Sequence, residues 1–208
     1  MKVSKVKILD TARLLFNQKG LAAVTARLIS AELEISPGSF SYHFPDKSRL
    51  VVELYRSLVD EMNSCLLLLK TDEISIKPFL NTFQKCAYVQ FKYKFFFLNL
   101  SEVLINYPVI KQMHKRAVIR ERLLAKQLFQ HYLASGIIKK DTTMPDLKLI
   151  LKQSQILFAY WIAEAELGKF KSEARAIWYY TEVCCATIKP FLNNKWKKEY
   201  LTYFKKSR

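Results

Sequence analysis

The residues best suited to contact a polyanion lie close together, between positions 25 and 47. Two short amphipathic segments meet there at a tight turn, and the second begins with Ser36 and Pro37. Serine is a preferred N-cap and proline a preferred first residue, so this pair predicts a short helix, which Pro45 must end. Two short helices joined in this way are typical of a helix-turn-helix, whose second helix enters the major groove of DNA.

The second of these helices is predicted to have one apolar and one polar face. Phe40 and Phe44 are four residues apart and can pack on the preceding helices. The other face carries small or hydrogen-bonding side chains, which suit base edges and phosphates, and Lys47 follows where it can reach a phosphate. The predicted contacts here are Ser36, Gly38, Ser39, Ser41, Tyr42, His43 and Lys47. Each alone has an ordinary alternative as a solvated surface residue, so the hypothesis depends on their combination.

Helices must position these residues, and helical periodicity runs through nearly the whole chain. Alternating strand patterns are almost absent, and only four glycines and six prolines interrupt 208 residues. Gly20 is predicted to end the first helix, Thr25 to cap the second, and Asp46 to cap a long fourth helix. Further helices are predicted over about 75–107, 115–135, 145–167 and 172–193. The predicted fold class is all-α with about nine helices.

The N-terminal segment resembles a known family. Its motif consists of Ile8-Leu9-Asp10-Thr11-Ala12, Leu15-Phe16, Gly20, Thr25, Ile29, Ser36-Pro37-Gly38-Ser39-Phe40-Ser41-Tyr42-His43-Phe44, Lys47 and Leu50. Over about residues 5–55, this pattern is similar to the DNA-binding domain of TetR/AcrR-type regulators. The resemblance implies DNA contacts from Thr25 and Arg27, a homodimer, a variable helical ligand-binding domain, and repression relieved by a small molecule.

Two sites depart from the family pattern. Leu33 and Glu34 stand in the turn where members commonly have Ala-Gly, and Ser41 stands where a tyrosine is common. Glu34 is therefore expected to adopt a left-handed backbone conformation, which costs a non-glycine residue about 1 kcal/mol. Its carboxylate is also expected to face DNA and weaken phosphate attraction nearby, and the usual aromatic contact at residue 41 is lost.

A domain boundary is placed within the fourth helix. It divides the chain into a helix-turn-helix domain, residues 1–50, and a helical effector-binding and dimerisation domain, residues 51–208. Aromatic and polar side chains in the second domain can line a ligand cavity, although plain core packing is an equal alternative. The candidate ligand residues are Phe91, Phe95, His114, His131, Tyr160, Trp161, Glu164 and Trp178. The resemblance places the dimer in the last two long helices, with a seam formed by Ile177, Thr181, Cys184, Cys185 and Ile188.

Composition narrows the class of protein and favours a polyanionic partner. The formal net charge is +16, and the tail Lys189–Arg208 carries seven basic residues against one acidic residue. Scattered histidines, and the lack of a phosphate-binding loop or metal-ligand spacing, argue against an enzyme, a cofactor or a metal site. The cysteines are expected in the core, with a redox switch at Cys184 and Cys185 as the alternative. No apolar run reaches the ~20 residues of a membrane span and no signal peptide is recognised, so a cytoplasmic protein is expected.

The predicted function is that of a sequence-specific transcriptional regulator. We expect a repressor that binds a pseudo-palindromic operator in double-stranded DNA as a homodimer and is released by an unknown small-molecule effector. One alternative is a nucleoid-associated or anionic-membrane adaptor that uses the basic tail and its aromatic residues, Trp196, Tyr200, Tyr203 and Phe204. Another is a small-molecule binder whose DNA reader has decayed, a reading to which Glu34 alone points.

Overall fold

The structure is a computed structural model that describes residues 3–69 and 73–205. Within these two ranges it contains eleven α-helices and no β-strand. The helices are α1 (Lys5–Lys19), α2 (Ala26–Glu32), α3 (Pro37–His43), α4 (Lys47–Leu66), α5 (Lys77–Lys92), α6 (Lys94–Leu98), α7 (Leu100–Asn106), α8 (Pro108–Ala134), α9 (Met144–Leu167), α10 (Glu173–Cys185) and α11 (Asn194–Lys205). Short 3-10 segments follow α4 at Leu67–Leu69 and α10 at Ala186–Phe191. The predicted all-α fold is confirmed.

Each of the first four helices begins at a capping side chain that accepts a backbone N–H three residues further on. The caps are Ser4, Thr25, Ser36 and Asp46, with N···O distances of 3.2, 3.2, 3.1 and 2.8 Å. A cap of this kind is worth about 1 kcal/mol to a helix. Helices as short as α2 and α3 are marginal in isolation, so these caps and the packing behind them fix where the helices start.

The three N-terminal helices share one apolar core with α4, α6, α7 and the start of α8. Phe40 and Phe44 are each 2 % exposed, and their ring centroids lie 6.1 Å apart, so both phenylalanines anchor α3 from behind as predicted. The ring of Phe16 on α1 lies 5.1 Å from that of Phe95 on α6. This core therefore continues well past residue 50 into residues 93–110.

The single helix predicted over about 75–107 is divided into α5, α6 and α7. The breaks fall at Tyr93 and Asn99, where ψ rises to 35° and 30°. At the first break, the amide of Asn17 donates to the carbonyl of Lys92 at 2.9 Å and accepts from the N–H of Phe95 at 3.2 Å. A partner from α1 thus satisfies backbone groups that a continuous helix would have paired, and the prediction of one helix was wrong.

The basic tail forms α11, and its aromatic residues point into the protein. Trp196, Tyr200 and Phe204 are at most 7 % exposed, and the ring of Tyr203 stacks on Trp178 at 5.5 Å. The lysines between them lie on the outside of the helix. These aromatic side chains are therefore not placed to insert into a membrane or to stack on a base. Residues 206–208 of the predicted tail lie outside the described residues.

The predicted dimer seam was wrong, because its residues are buried inside a single chain. Ile177, Thr181, Cys184, Cys185 and Ile188 are all at most 7 % exposed. Burial raises the pKa of the Cys184 thiol to about 12 and raises that of Cys185 as well, which disfavours the reactive thiolate form. All four cysteines are buried and unbridged, in agreement with their prediction as core residues.

Candidate functional site

The turn between α2 and α3 uses a left-handed residue to change direction. Glu34 has φ 55°, the one positive φ at a non-glycine residue in the described ranges. Its N–H donates to the carbonyl of Ala31 at 3.1 Å, and the N–H of Ile35 donates to that of Ser30 at 3.0 Å. These two hydrogen bonds end α2 and fix the direction in which the chain continues into α3. The strained backbone predicted for Glu34 is confirmed.

The outer face of α3 is polar and open. Ser36, Gly38, Ser41 and Tyr42 are exposed, with Tyr42 at 77 %, and Ser39 is half-buried. A Cβ built on Gly38 would meet nothing closer than the Ser36 hydroxyl oxygen, at 3.9 Å. Neither packing nor backbone conformation within the chain therefore requires glycine here. A missing side chain on an exposed helix face leaves room for another molecule to approach the backbone.

Two predicted contacts are held within the chain. His43 is half-buried, and its Nε2 donates to the carbonyl of Val3 at 3.0 Å, so it ties the N-terminal segment to α3. Lys47 is also half-buried: its ammonium donates to the carbonyl of Leu21 at 2.5 Å, and burial lowers its pKa. Both side chains brace the fold around α3, and either would have to leave its carbonyl to reach a phosphate.

The second helix contributes two further predicted contacts. Thr25 and Arg27 are exposed at the start of α2. The Thr25 hydroxyl accepts the N–H of Leu28 as the cap, and as a hydroxyl it retains a proton that can be donated to a phosphate. Both α2 and α3 therefore carry exposed polar groups, as a helix-turn-helix needs in order to contact the DNA backbone and enter the groove.

Behind these helices lies a mainly apolar cavity with two partly open chambers. The first has a volume of about 180 Å³ and the second of about 330 Å³, and both lie among α4, α5, α8 and α9. The chambers adjoin one another, since they share lining residues from three of these helices. The shared residues are Met62, Leu66, Glu121, Arg122, Gln155 and Phe158.

The family is shown by two sequence models that together span most of the chain. Residues 8–54 match the model of bacterial regulatory proteins of the tetR family, and residues 57–200 match the TetR model of a bacterial transcriptional repressor. The chain belongs to the TetR family. It is a DNA-binding transcriptional regulator, and α1–α3 lie almost entirely within the residues that the first of these models matches.

Known relatives support this assignment. The chain is 25 % identical over 163 residues to the Probable HTH-type transcriptional regulator YttP of Bacillus subtilis (strain 168), an alignment covering 76 % of this chain and 77 % of that protein. A TetR-family regulator from Marinobacter aquaeolei VT8 has the same fold, with a TM-score of 0.86, 21 % identity and 99 % coverage of both chains. A regulator from Saccharomonospora viridis in complex with choline has a TM-score of 0.72 and 16 % identity over 91 % of this chain and 98 % of its own.

This TetR-family chain does not gather the eight predicted ligand residues around its cavity. His114 lies on the wall of the second chamber, where its Nδ1 is 2.8 Å from the hydroxyl oxygen of Tyr55. The other seven line neither chamber, because the aromatic rings among them pack on one another or lie at the surface. Phe91 stacks on Trp161, and Phe95 packs against Phe16 of α1. The Glu164 carboxylate accepts a hydrogen bond from the Tyr180 hydroxyl, and Trp178 stacks on Tyr203. His131 and Tyr160 are exposed.

The cavity residue most clearly missed is Glu121. On α8 it lies between half-buried positions at spacings of three and four, namely His114, Ala117, Val118, Leu124, Ala125 and Leu128. A charged residue on the inward stripe of an amphipathic helix is a signal that periodicity alone can reveal.

Over the described ranges, no helix is both long and apolar enough to cross a membrane, and His, Cys, Asp and Glu side chains form no group suited to a metal ion.

Proposed function

We propose that this regulator is a homodimeric repressor that leaves its operator when a small molecule occupies the cavity. The observation that carries this proposal is the course of α4. This helix of 20 residues begins at Lys47 beside α3, and its later turns line both chambers through Met62 and Leu66. At 1.5 Å per residue it spans about 30 Å. A ligand that displaces one end of α4 therefore has a rigid connection to the DNA-reading helix at the other.

The DNA contacts are proposed to come from the exposed polar surface of α2 and α3. Tyr42 is the most exposed aromatic side chain on that surface, and Gly38 allows the backbone to approach a base edge. The proposed contacts are Thr25, Arg27, Ser36, Gly38, Ser39, Ser41 and Tyr42, joined by His43 and Lys47 if DNA draws them from their intramolecular carbonyls. Phosphate contacts should supply much of the affinity, so binding should weaken steeply with salt.

Dimerisation is proposed on the outer faces of α9 and α10. Large apolar side chains are exposed along both helices, with fractional exposures of 51–85 %. They are Leu149, Ile156, Tyr160, Leu167 and Tyr179. Large exposed apolar patches mark interaction surfaces, and a two-fold axis through this one would present two copies of α3 to two half-sites.

Operator recognition is tested by selecting bound duplexes from a random pool and measuring affinity by fluorescence anisotropy at several salt concentrations. Tyr42→Ala should lower affinity for the selected duplex about tenfold, the scale of a lost groove contact. Tyr88→Ala removes an exposed tyrosine on α5 and is the matched control. Equal affinities for the wild type and Tyr42→Ala would contradict the proposed reading surface.

The dimer surface is tested by sedimentation of the free protein. Ile156→Glu with Leu167→Glu should shift it from dimer to monomer, because two like charges would meet across the axis. Leu123→Glu changes a comparably exposed leucine on α8 and should leave the dimer intact. A dimer that survives the double change would place the interface elsewhere.

Release is tested with small molecules that raise the thermal midpoint of the free protein. Each is titrated into the complex with the labelled duplex, and those that bind the cavity should lower DNA affinity. Cavity binders that leave DNA affinity unchanged would remove the repressor-release part of the proposal.

A further inference from the structure

One acidic residue stands out in the wall of the cavity. Among the described residues that line each chamber, Glu121 is the single carboxylate. Its neighbours around the first chamber are mainly apolar, as at Phe83, Leu128 and Ile150. Because Glu121 lines both chambers, its carboxylate lies where the two adjoin.

The Glu121 carboxylate lacks a charged partner. Across the described part of the chain, no ion pair within 4.0 Å includes it. Burial raises its pKa, and the nearby Arg120 guanidinium offsets this only in part. An ionised group removed from water without a partner is costly, so the site favours a bound cation that restores the pairing.

A second polar group at the cavity is also unpaired. Thr82 on α5 lines the first chamber and is 1 % exposed, and its hydroxyl has no hydrogen-bond partner among the residues that the structure describes. Nearly all buried polar groups in proteins are paired, so an unpaired hydroxyl beside a cavity points to a partner from outside the chain. Glu121 and Thr82 can both accept hydrogen bonds, and a ligand that carries N–H donors satisfies both.

Basic residues near the second chamber do not reverse this preference. Arg120, Arg122 and Lys152 line it, but all three are exposed residues, whose charges water and salt screen. The His114 ring faces the same chamber, and burial lowers its pKa, which keeps it neutral. An anion drawn to the mouth would therefore meet a buried carboxylate inside, without a buried cation to pair with it.

We propose that Glu121 makes the cavity selective for ligands with an apolar body and one cationic nitrogen, which the carboxylate binds where the two chambers join. This inference rests on the proposed role of the cavity as the effector site. It adds a chemical class to that role: lipophilic amines in their protonated form, in preference to alcohols or carboxylates of the same shape.

The test measures binding to the full-length chain by calorimetry at neutral pH. The probes are decylamine, decan-1-ol and decanoate, which share one alkyl chain and differ in charge, each kept below the concentration at which it forms micelles. Decylamine should bind about tenfold more tightly than decan-1-ol, the scale of one charge-assisted hydrogen bond. Glu121→Gln keeps the size of the side chain and should abolish that difference, because the amide carries no charge to pair with the ammonium group.

Glu102→Gln is the matched control, since Glu102 is an exposed glutamate on α7. The inference is overturned if wild-type protein prefers decan-1-ol or decanoate, a ranking that does not depend on how well any variant folds, or if Glu121→Gln retains the preference for decylamine. If none of the three probes binds, the inferred ligand class is overturned, whereas the effector role of the cavity is decided separately by the release experiment under the proposed function. If decylamine binds through Glu121 but leaves operator affinity unchanged, the ligand class stands and only effector-driven release is lost.

Discussion

The two ends of α4 lie in regions that differ in how completely their interiors are packed. Around its first turns, α1–α3 pack phenylalanines into a filled core and leave an open polar face outside. Around its last turns, the helices line two adjoining chambers, and among the described residues neither the Glu121 carboxylate has an ion-pair partner nor the Thr82 hydroxyl a hydrogen-bond partner. The core behind α3 is filled by side chains of the chain itself, whereas the chambers leave space and polar groups that a bound molecule can contact. Under the proposed function, a ligand would therefore gain free energy at the far end of α4 that it could not gain in the filled core.

The difference in packing predicts unequal costs for removing a phenylalanine. Phe40→Ala should destabilise the protein by about 3–5 kcal/mol, because its ring is fully buried in a filled core. Phe83→Ala, on a wall that already borders empty space, should cost only about 1–2 kcal/mol, because fewer packing contacts are lost. Urea denaturation followed by circular dichroism measures both. Equal losses would mean that the cavity wall is packed as tightly as the core behind α3.

Gly38→Ala separates stability from DNA affinity within the open face. A Cβ has space there, and alanine is a better helix former, so stability should be unchanged or rise by up to about 1 kcal/mol. Affinity for the selected operator should fall about tenfold, because the methyl group would hold the backbone away from the base edges. Anisotropy and thermal melting of the same preparation give both values. A variant that binds DNA as well as the wild type would show that α3 does not approach so closely.

Glu34→Gly measures how much the positive φ at residue 34, in the turn before α3, costs in stability. Glycine adopts a positive φ freely, so the change should stabilise the protein by up to about 1 kcal/mol. Ala31→Gly, at an exposed position within α2, should destabilise the protein by up to a similar amount, because glycine is a poorer helix former than alanine. Thermal melting should therefore show shifts of opposite sign. Glu34→Gln removes the charge but keeps the strain, so a gain in DNA affinity for that variant alone measures how strongly the carboxylate repels phosphate.

The sequence predicted those features whose hydrogen-bond partners lie within a few residues along the chain. The starts of α2, α3 and α4 followed from Thr25, Ser36 and Asp46, because a cap bonds to a backbone N–H only three residues away. Local chemistry determines these helix starts, and distant contacts do not override it. The positive φ at Glu34 was expected from the resemblance, because the family pattern commonly has a glycine at this place in the turn.

Sequence patterns did not predict features that depend on a residue far away in the sequence. They also did not predict which side of a helix is buried when the helix is apolar on more than one side. The break at Tyr93 depends on Asn17, far away in sequence, so no local pattern marks it. On α10, Ile177 and Cys184 face the core while Tyr179 faces outward, and an apolar residue alone does not show which side is buried. The cavity needs four helices in their final positions, so its lining could not be read from any one of them.

The smallest expected effect on DNA affinity comes from the exposed lysines of α11. Their removal is compared with changes on the polar face of α3. The aromatic residues of α11 belong to the core, so deleting the helix would unfold its neighbours and say nothing about DNA. Lys195→Gln, Lys197→Gln and Lys198→Gln together remove exposed charges and leave Trp196 and Tyr200 in place. If α3 carries operator recognition, affinity for the selected duplex should fall less than about threefold and discrimination against random duplex should be retained, because distant exposed charges are screened. A loss as large as that of Tyr42→Ala, equal for selected and random DNA, would instead assign binding to the tail, as in the nucleoid-associated alternative.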